Sequence, residues 1–310
     1  MKGVKTDRNT WLQLAFKVRG SVIPGILPRV LLCGFFGILI SILYPFGIPV
    51  HWPILSSLVP NLVLGLLLVF RTNTAYDRFW EGRKLWGTLV NTTRNFTRHV
   101  WVAVAEKKPE DKQEKIANLR LIVAFAFALK LHLRKEPVNE ELAALMGSDR
   151  FDQLKTMNHP PLEIAFWLGD YVQERHSRGC LSIYQLSDMM KLLDKMVDVL
   201  GGCERILKTP IPLAYAIHIK QLLLLYCLAL PFQLVNDLHW GTGPVVALIS
   251  FTLFGIEEIG LEIEDPFGCD PNDLPLDAIC NTLLRNVEDL ISLSPSVRRS
   301  LGTSWDAPED

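Results

Sequence analysis

The chemistry open to this sequence lies in rows of side chains at helical spacing rather than in a catalytic cluster. Residues 54–70 carry no charge, and within them Leu58, Leu62, Leu66 and Phe70 recur one helical turn apart, with Ser57, Asn61 and Gly65 forming the adjoining row. A large apolar row beside a small polar one lets helices pack on the small side and present the other row to a shared axis. Ordinary helix packing by both rows is the alternative. Just beyond follow Asp77, Arg78, Glu81, Arg83 and Lys84, charges suited to salt bridges between helices or subunits, or to contact with passing ions. The histidines (His51, His99, His132, His159, His176, His218 and His239) show no His-Glu-x-x-His or other ligand spacing, and no glycine loop could cradle a phosphate. Catalysis is unsupported, and the chain is not expected to be an enzyme.

An uncharged run of that length is just sufficient to cross most of a bilayer as a helix. Pro60 and Asn61 sit inside it, so the expectation is two half-helices joined at Pro60, tolerable only where protein or a hydrated cavity surrounds the break. With 49% hydrophobic and 21% charged residues, membrane and water-facing parts must be segregated. A net charge of -1 with no strongly basic stretch excludes a general nucleic-acid binder. The six cysteines (Cys33, Cys180, Cys203, Cys227, Cys269 and Cys280) are scattered without a Cys-x-x-Cys pair, which fits reduced thiols rather than disulfides or a zinc ribbon.

The spacing predicts a basic cytosolic N-terminal segment over residues 1–29, in which Trp11, Leu12, Leu14, Ala15 and Phe16 with Lys17 and Arg19 form a short interfacial helix. It is no signal peptide. Transmembrane helices 1 and 2 fall within 30–70, the first over about 30–44 with Arg29 snorkelling at its inner end. A helical cytosolic domain covers 71–212, with long helices over about 76–106, 110–134 and 181–208 and a proline-broken region of short helices and loops over 136–177. The apolar run 121–129 is too short to span and is bounded by Arg120 and Lys130, as in a buried bundle helix. Transmembrane helices 3 and 4 fall within 213–260, at about 216–234 and 244–255. A cytosolic tail over 261–310 carries an acidic turn and a helix over 275–293, capped by Asp273 or a neighbour, and frays from Ser294. The turns 45–53 and 236–243 hold no Lys or Arg, so the positive-inside rule places them outside and both termini in the cytoplasm. The fold class is all-α, with four transmembrane helices.

Three segments, each adjoining the membrane edge of a span, carry a family likeness. They are Phe70-Arg-Thr-Asn-Thr-Ala-Tyr-Asp-Arg-Phe-Trp-Glu-Gly-Arg-Lys-Leu-Trp-Gly87, Leu200-Gly-Gly-Cys-Glu-Arg-Ile-Leu-Lys-Thr-Pro-Ile-Pro-Leu-Ala-Tyr215 and Glu264-Asp-Pro-Phe-Gly-Cys-Asp-Pro-Asn-Asp-Leu-Pro-Leu-Asp277. In this order they resemble the bacterial branch of the bestrophin family of ion channels, over about residues 11–293. The resemblance implies a homopentamer around a central pore in the cell inner membrane, with lipids and permeating inorganic ions as its other partners. Chloride or another anion is the default, cation conduction the variant, and a non-conducting membrane scaffold or regulator the alternative function.

The resemblance also assigns residues. The pore neck falls on Leu62, Leu66 and Phe70, and the cytosolic aperture on Ile211 ahead of Pro212, for which a buried turn hydrophobe is the competing role. Rings of apolar side chains offer no ligand to replace a hydration shell, so they gate by size and dewetting. Asp270 and Asp273 stand where the family's calcium clasp has carboxylates. Cys269, Pro271 and Asn272 interrupt the acidic run of the animal members, which weakens a hard-cation site, and the competing role is a helix-capping turn. No other cofactor is expected.

Overall fold

In the computed structural model the described residues are 13, 15–18, 20–53, 55 and 57–292. Of the expected interfacial helix, Trp11, Leu12, Leu14 and Arg19 lie outside them, as do Ile54, Leu293 and the tail from Ser294. The helices are α1 (Ile23–Leu43), α2 (Leu58–Ala103), α3 (Pro109–Arg134), α4 (Glu140–Ala143), α5 (Ser148–Lys155), α6 (Pro160–Ser177), α7 (Ile183–Lys208), α8 (Leu213–Leu238), α9 (Thr242–Glu262) and α10 (Leu276–Ser292). No strand occurs among the described residues. The chain forms two compact units. One takes the residues up to Trp80 with Thr209–Pro266 and Asp270–Asp273; the other takes Glu81–Lys208, Phe267–Cys269 and the residues from Leu274.

The first unit holds α1, the N-terminal part of α2, α8 and α9. Their shared core includes Ile26, Val30, Cys33, Leu64, Leu68, Leu223, Cys227, Val246 and Phe254. The packing of α1 on α9 is set by glycine. A Cβ placed on Gly37 would lie 2.9 Å from Gly243 Cα, and one on Gly34 would lie 3.1 Å from Ala247 Cβ. Small residues at these crossings bring the backbones together, the usual means of association where lipid offers no hydrophobic drive. Arg29 does more than snorkel, since it pairs with Glu258 at 3.0 Å and Glu257 at 3.7 Å.

The expected break at Pro60 does not exist, and the second span and the long charged helix expected after it are one continuous α2 of 46 residues. Because α2 starts at Leu58, Pro60 sits in the first turn, where backbone N–H groups have no helical partner to lose. Ser57 Oγ accepts from the Val59 N–H at 3.3 Å and helps open the helix.

The second unit is built around α3, on which residues 121–126 are fully buried. Among the described residues four stretches are long and apolar enough to cross a membrane: Ile23–Phe46, Leu58–Ala103, Pro109–Arg134 and Leu213–Glu262, the last of which contains both α8 and α9. Burial separates α3 from the others. Protein covers 78% of its apolar window, against 39%, 22% and 22% for the rest, so α3 is a bundle core helix and the crossings belong to α1, α2, α8 and α9. Ion pairs fix its ends. Asp111 accepts from the Lys107 and Lys108 backbone N–H groups at 2.8 Å each and from Arg175 at 2.6 Å. Lys130 reaches Asp277 of α10 at 2.8 Å. The region expected as short helices and loops is only partly so, because α6 is a regular 18-residue helix beginning at Pro160. A proline at the first helical position starts such a helix rather than breaking it.

Candidate functional site

On α2 the buried positions Leu64, Leu68, Arg71 and Ala75 recur at intervals of four, three and four and define the face packed against the rest of the subunit. Leu62, Leu66 and Phe70 lie on the opposite side and are 57%, 47% and 60% exposed in the single chain. The adjoining polar row is divided. Asn61 Oδ1 accepts from the Tyr226 hydroxyl of α8 at 2.8 Å, whereas a Cβ on Gly65 would meet nothing within 4 Å. The large apolar row is therefore left over after the subunit has packed its own core.

Glu264, just past α9, anchors the lower end of this row. Its Oε2 accepts from Arg71 Nη2 at 2.7 Å and its Oε1 accepts from the Ile211 N–H at 3.0 Å. Its carbonyl accepts from Arg78 Nε at 3.1 Å, and Arg78 also donates to the Thr209 carbonyl. One carboxylate thus joins the residue after Phe70 to the turn that carries Ile211. Arg71 is 2% exposed, so the pair sits where Coulomb attraction is little screened and desolvation is costly. The Ile211 side chain is half-buried. Of the charge cluster expected to form salt bridges, Arg78 is drawn in here and Glu81 pairs with Arg205, while Asp77, Arg83 and Lys84 are exposed.

Asp270 and Asp273 do come together. The Asp273 carboxylate accepts from the Asp270 N–H at 2.7 Å, and the Asp273 N–H donates to the Asp270 carbonyl at 3.0 Å. Asn272 occupies a Glu262 carboxylate oxygen at 2.6 Å. Calcium takes six to eight oxygens. Asp270 and Asp273 supply two carboxylates, one of them already engaged by its own turn, fewer side-chain oxygens than such an ion takes.

The sequence matches the family model for bacterial and fungal bestrophin proteins over residues 3–289. The chain belongs to the bestrophin family. Among its bestrophin relatives, a voltage-dependent anion channel-forming protein of Nostoc sp. is 63% identical over 93% of this chain and 94% of its own. One so named from Escherichia coli is 36% identical over 88% and 89% respectively. A crystal structure of a bacterial bestrophin homologue from Klebsiella pneumoniae superposes with a TM-score of 0.79 at 34% identity, over 87% of this chain and 100% of that one. This is a family of membrane channels, not of enzymes.

Two features of this bestrophin chain escaped sequence reasoning. Glu264 read only as the opening of the acidic tail, although an acid just past the last span and an arginine just past Phe70 were both visible as a pair of opposite charges at one membrane edge. His132, His159 and Glu204 converge in the second unit, from positions with no common spacing.

Proposed function

We propose that this chain is one subunit of a homopentameric anion channel of the inner membrane, with chloride-sized monovalent anions as its permeant class and both termini in the cytoplasm. The observation that carries this reading is the exposed row Leu62, Leu66 and Phe70, opposite the face by which α2 packs into its own subunit. An apolar row that its subunit leaves bare at membrane depth is accounted for when five copies turn it toward a common axis. Ions would then pass an apolar neck that conducts only when wet. In this reading Ile211 contributes a second ring at the cytosolic exit, and Glu264 holds that ring in register with the base of the neck. Anion preference is supported by the names of the relatives, and the surrounding lipid by the outward apolar faces of α1, α8 and α9.

No step in this scheme requires calcium. The protein reconstituted in planar bilayers under a chloride gradient should give currents that reverse near the chloride equilibrium potential, and native mass measurement should give five subunits. Reversal near the cation potential would overturn the ion assignment, and a monomer or dimer would remove the pore.

A further inference from the structure

We propose that His132, His159 and Glu204 form a binding site for a zinc-class divalent cation in the helical bundle of the second unit. The three come from separate elements: His132 from the last turn of α3, His159 from the residue preceding α6, and Glu204 from α7. His132 Nε2 lies 2.6 Å and His159 Nε2 lies 2.9 Å from the same oxygen, Glu204 Oε1. The imidazole rings face each other with centroids 4.5 Å apart and an interplanar angle of 32°. Two imidazole nitrogens and a carboxylate aimed at one point are the donor set of a three-ligand zinc site, with water as the fourth ligand.

The spacing is close to what such an ion needs. Metal bonds of about 2.0 to 2.2 Å in tetrahedral array put ligand atoms roughly 3.3 to 3.6 Å apart, so the 2.6 Å contact must open by about 0.7 Å and the 2.9 Å contact by about 0.4 Å to admit the cation. Each histidine now donates its Nε2 proton to Glu204, and the ion replaces both protons. In His159 the proton moves to Nδ1, which is buried without a hydrogen-bond partner among the described residues, so no existing contact is lost there. His132 and Glu204 both lie near helix C-termini, whose carbonyl dipoles favour positive charge. Among the described residues Lys208 is the one lysine or arginine paired with Glu204, at 3.1 Å from the other carboxylate oxygen. Its side chain is 67% exposed and can swing into water. Bound metal would clamp α3, α6 and α7 together.

The test uses the full-length protein in detergent, stripped with chelator and titrated with Co2+ alone, then with Zn2+ as competitor. Wild type should bind one Co2+ per subunit with the visible absorption of a tetrahedral nitrogen and oxygen site, and Zn2+ should displace it and raise the melting temperature. His159→Gln and Glu204→Gln should each weaken binding at least tenfold and abolish both the band and the melting shift. Cys269→Ser, which removes the exposed thiol, should leave them unchanged. A wild-type protein without the band, or binding that survives in His159→Gln, would overturn the proposal. Should Glu204→Gln fail to fold, His159→Gln decides alone.

Discussion

Arg71 and Glu264, 193 positions apart in the chain, meet at 2.7 Å with the guanidinium buried and the carboxylate also holding the backbone of Ile211. Removing one member leaves the other charged in a poorly hydrated site, which typically costs about 3 to 5 kcal/mol. Glu264→Gln should therefore lower stability by about that amount, measured by thermal melting in detergent. The paired change Arg71→Met with Glu264→Leu should restore much of it, since replacing both charges with apolar groups is often neutral. An unchanged melting temperature in Glu264→Gln would show that the pair carries no such load.

Close glycine contact sets the spacing of α1 and α9. In Gly37→Ala the new methyl would stand 2.9 Å from Gly243 Cα, and a backbone atom cannot turn aside as a side chain can. Overpacking of this kind costs about 1 to 3 kcal/mol. Gly65→Ala, whose Cβ meets nothing within 4 Å in its own subunit, should be tolerated by the monomer fold. Comparable melting losses in the two variants would contradict the assignment.

The second unit should be acid-labile. Glu204 falls from its ordinary 4.5 to about 2 through its hydrogen bonds, and Asp277 is lowered chiefly by its hydrogen bond from Lys130, with Arg134 adding to it. Carboxylates depressed in the folded state contribute stability that is complete above their unfolded values and disappears as pH falls through the folded ones. Melting temperature should accordingly be flat from neutrality to about pH 5.5 and decline steadily toward pH 2. Glu204→Gln should flatten part of that decline; an identical acid limb in the variant would count against the role of Glu204.

Ile211 is fixed by its backbone, so its side chain is free to be changed. Ile211→Ala should keep the contact to Glu264 and the oligomer while altering permeability ratios among anions of different size, read from reversal potentials. Unaltered ratios with a stability loss of about 2 kcal/mol or more would assign Ile211 to a packed turn instead.

The crossings, the continuous charged helices and the family motifs were legible in the chain because each rests on local patterns. Pro60 misled because a proline breaks a helix only past its first turn, and the start at Leu58 is not marked in the sequence. α6 was obscured in the same way by a proline at its head. The two clusters that hold the candidate sites were not legible for a different reason. Arg71, Ile211 and Glu264 form one, and His132, His159 and Glu204 the other. Both are assembled by tertiary packing from residues dozens to nearly two hundred positions apart, and no periodicity records that.

The neck is the claim on which the channel reading turns. Side chains directed into a lumen have few packing partners, so replacing Leu62, Leu66 and Phe70 together by Ala should cost far less than the roughly 2 to 5 kcal/mol per residue typical of a packed core. An apolar constriction that closes by dewetting should also stay wet once its bulk is gone. The most direct measurement is planar-bilayer recording of this triple variant beside its melting temperature. A stable oligomer with larger current and higher open fraction than wild type is the expected result. A large loss of stability with no gain in conductance would contradict it.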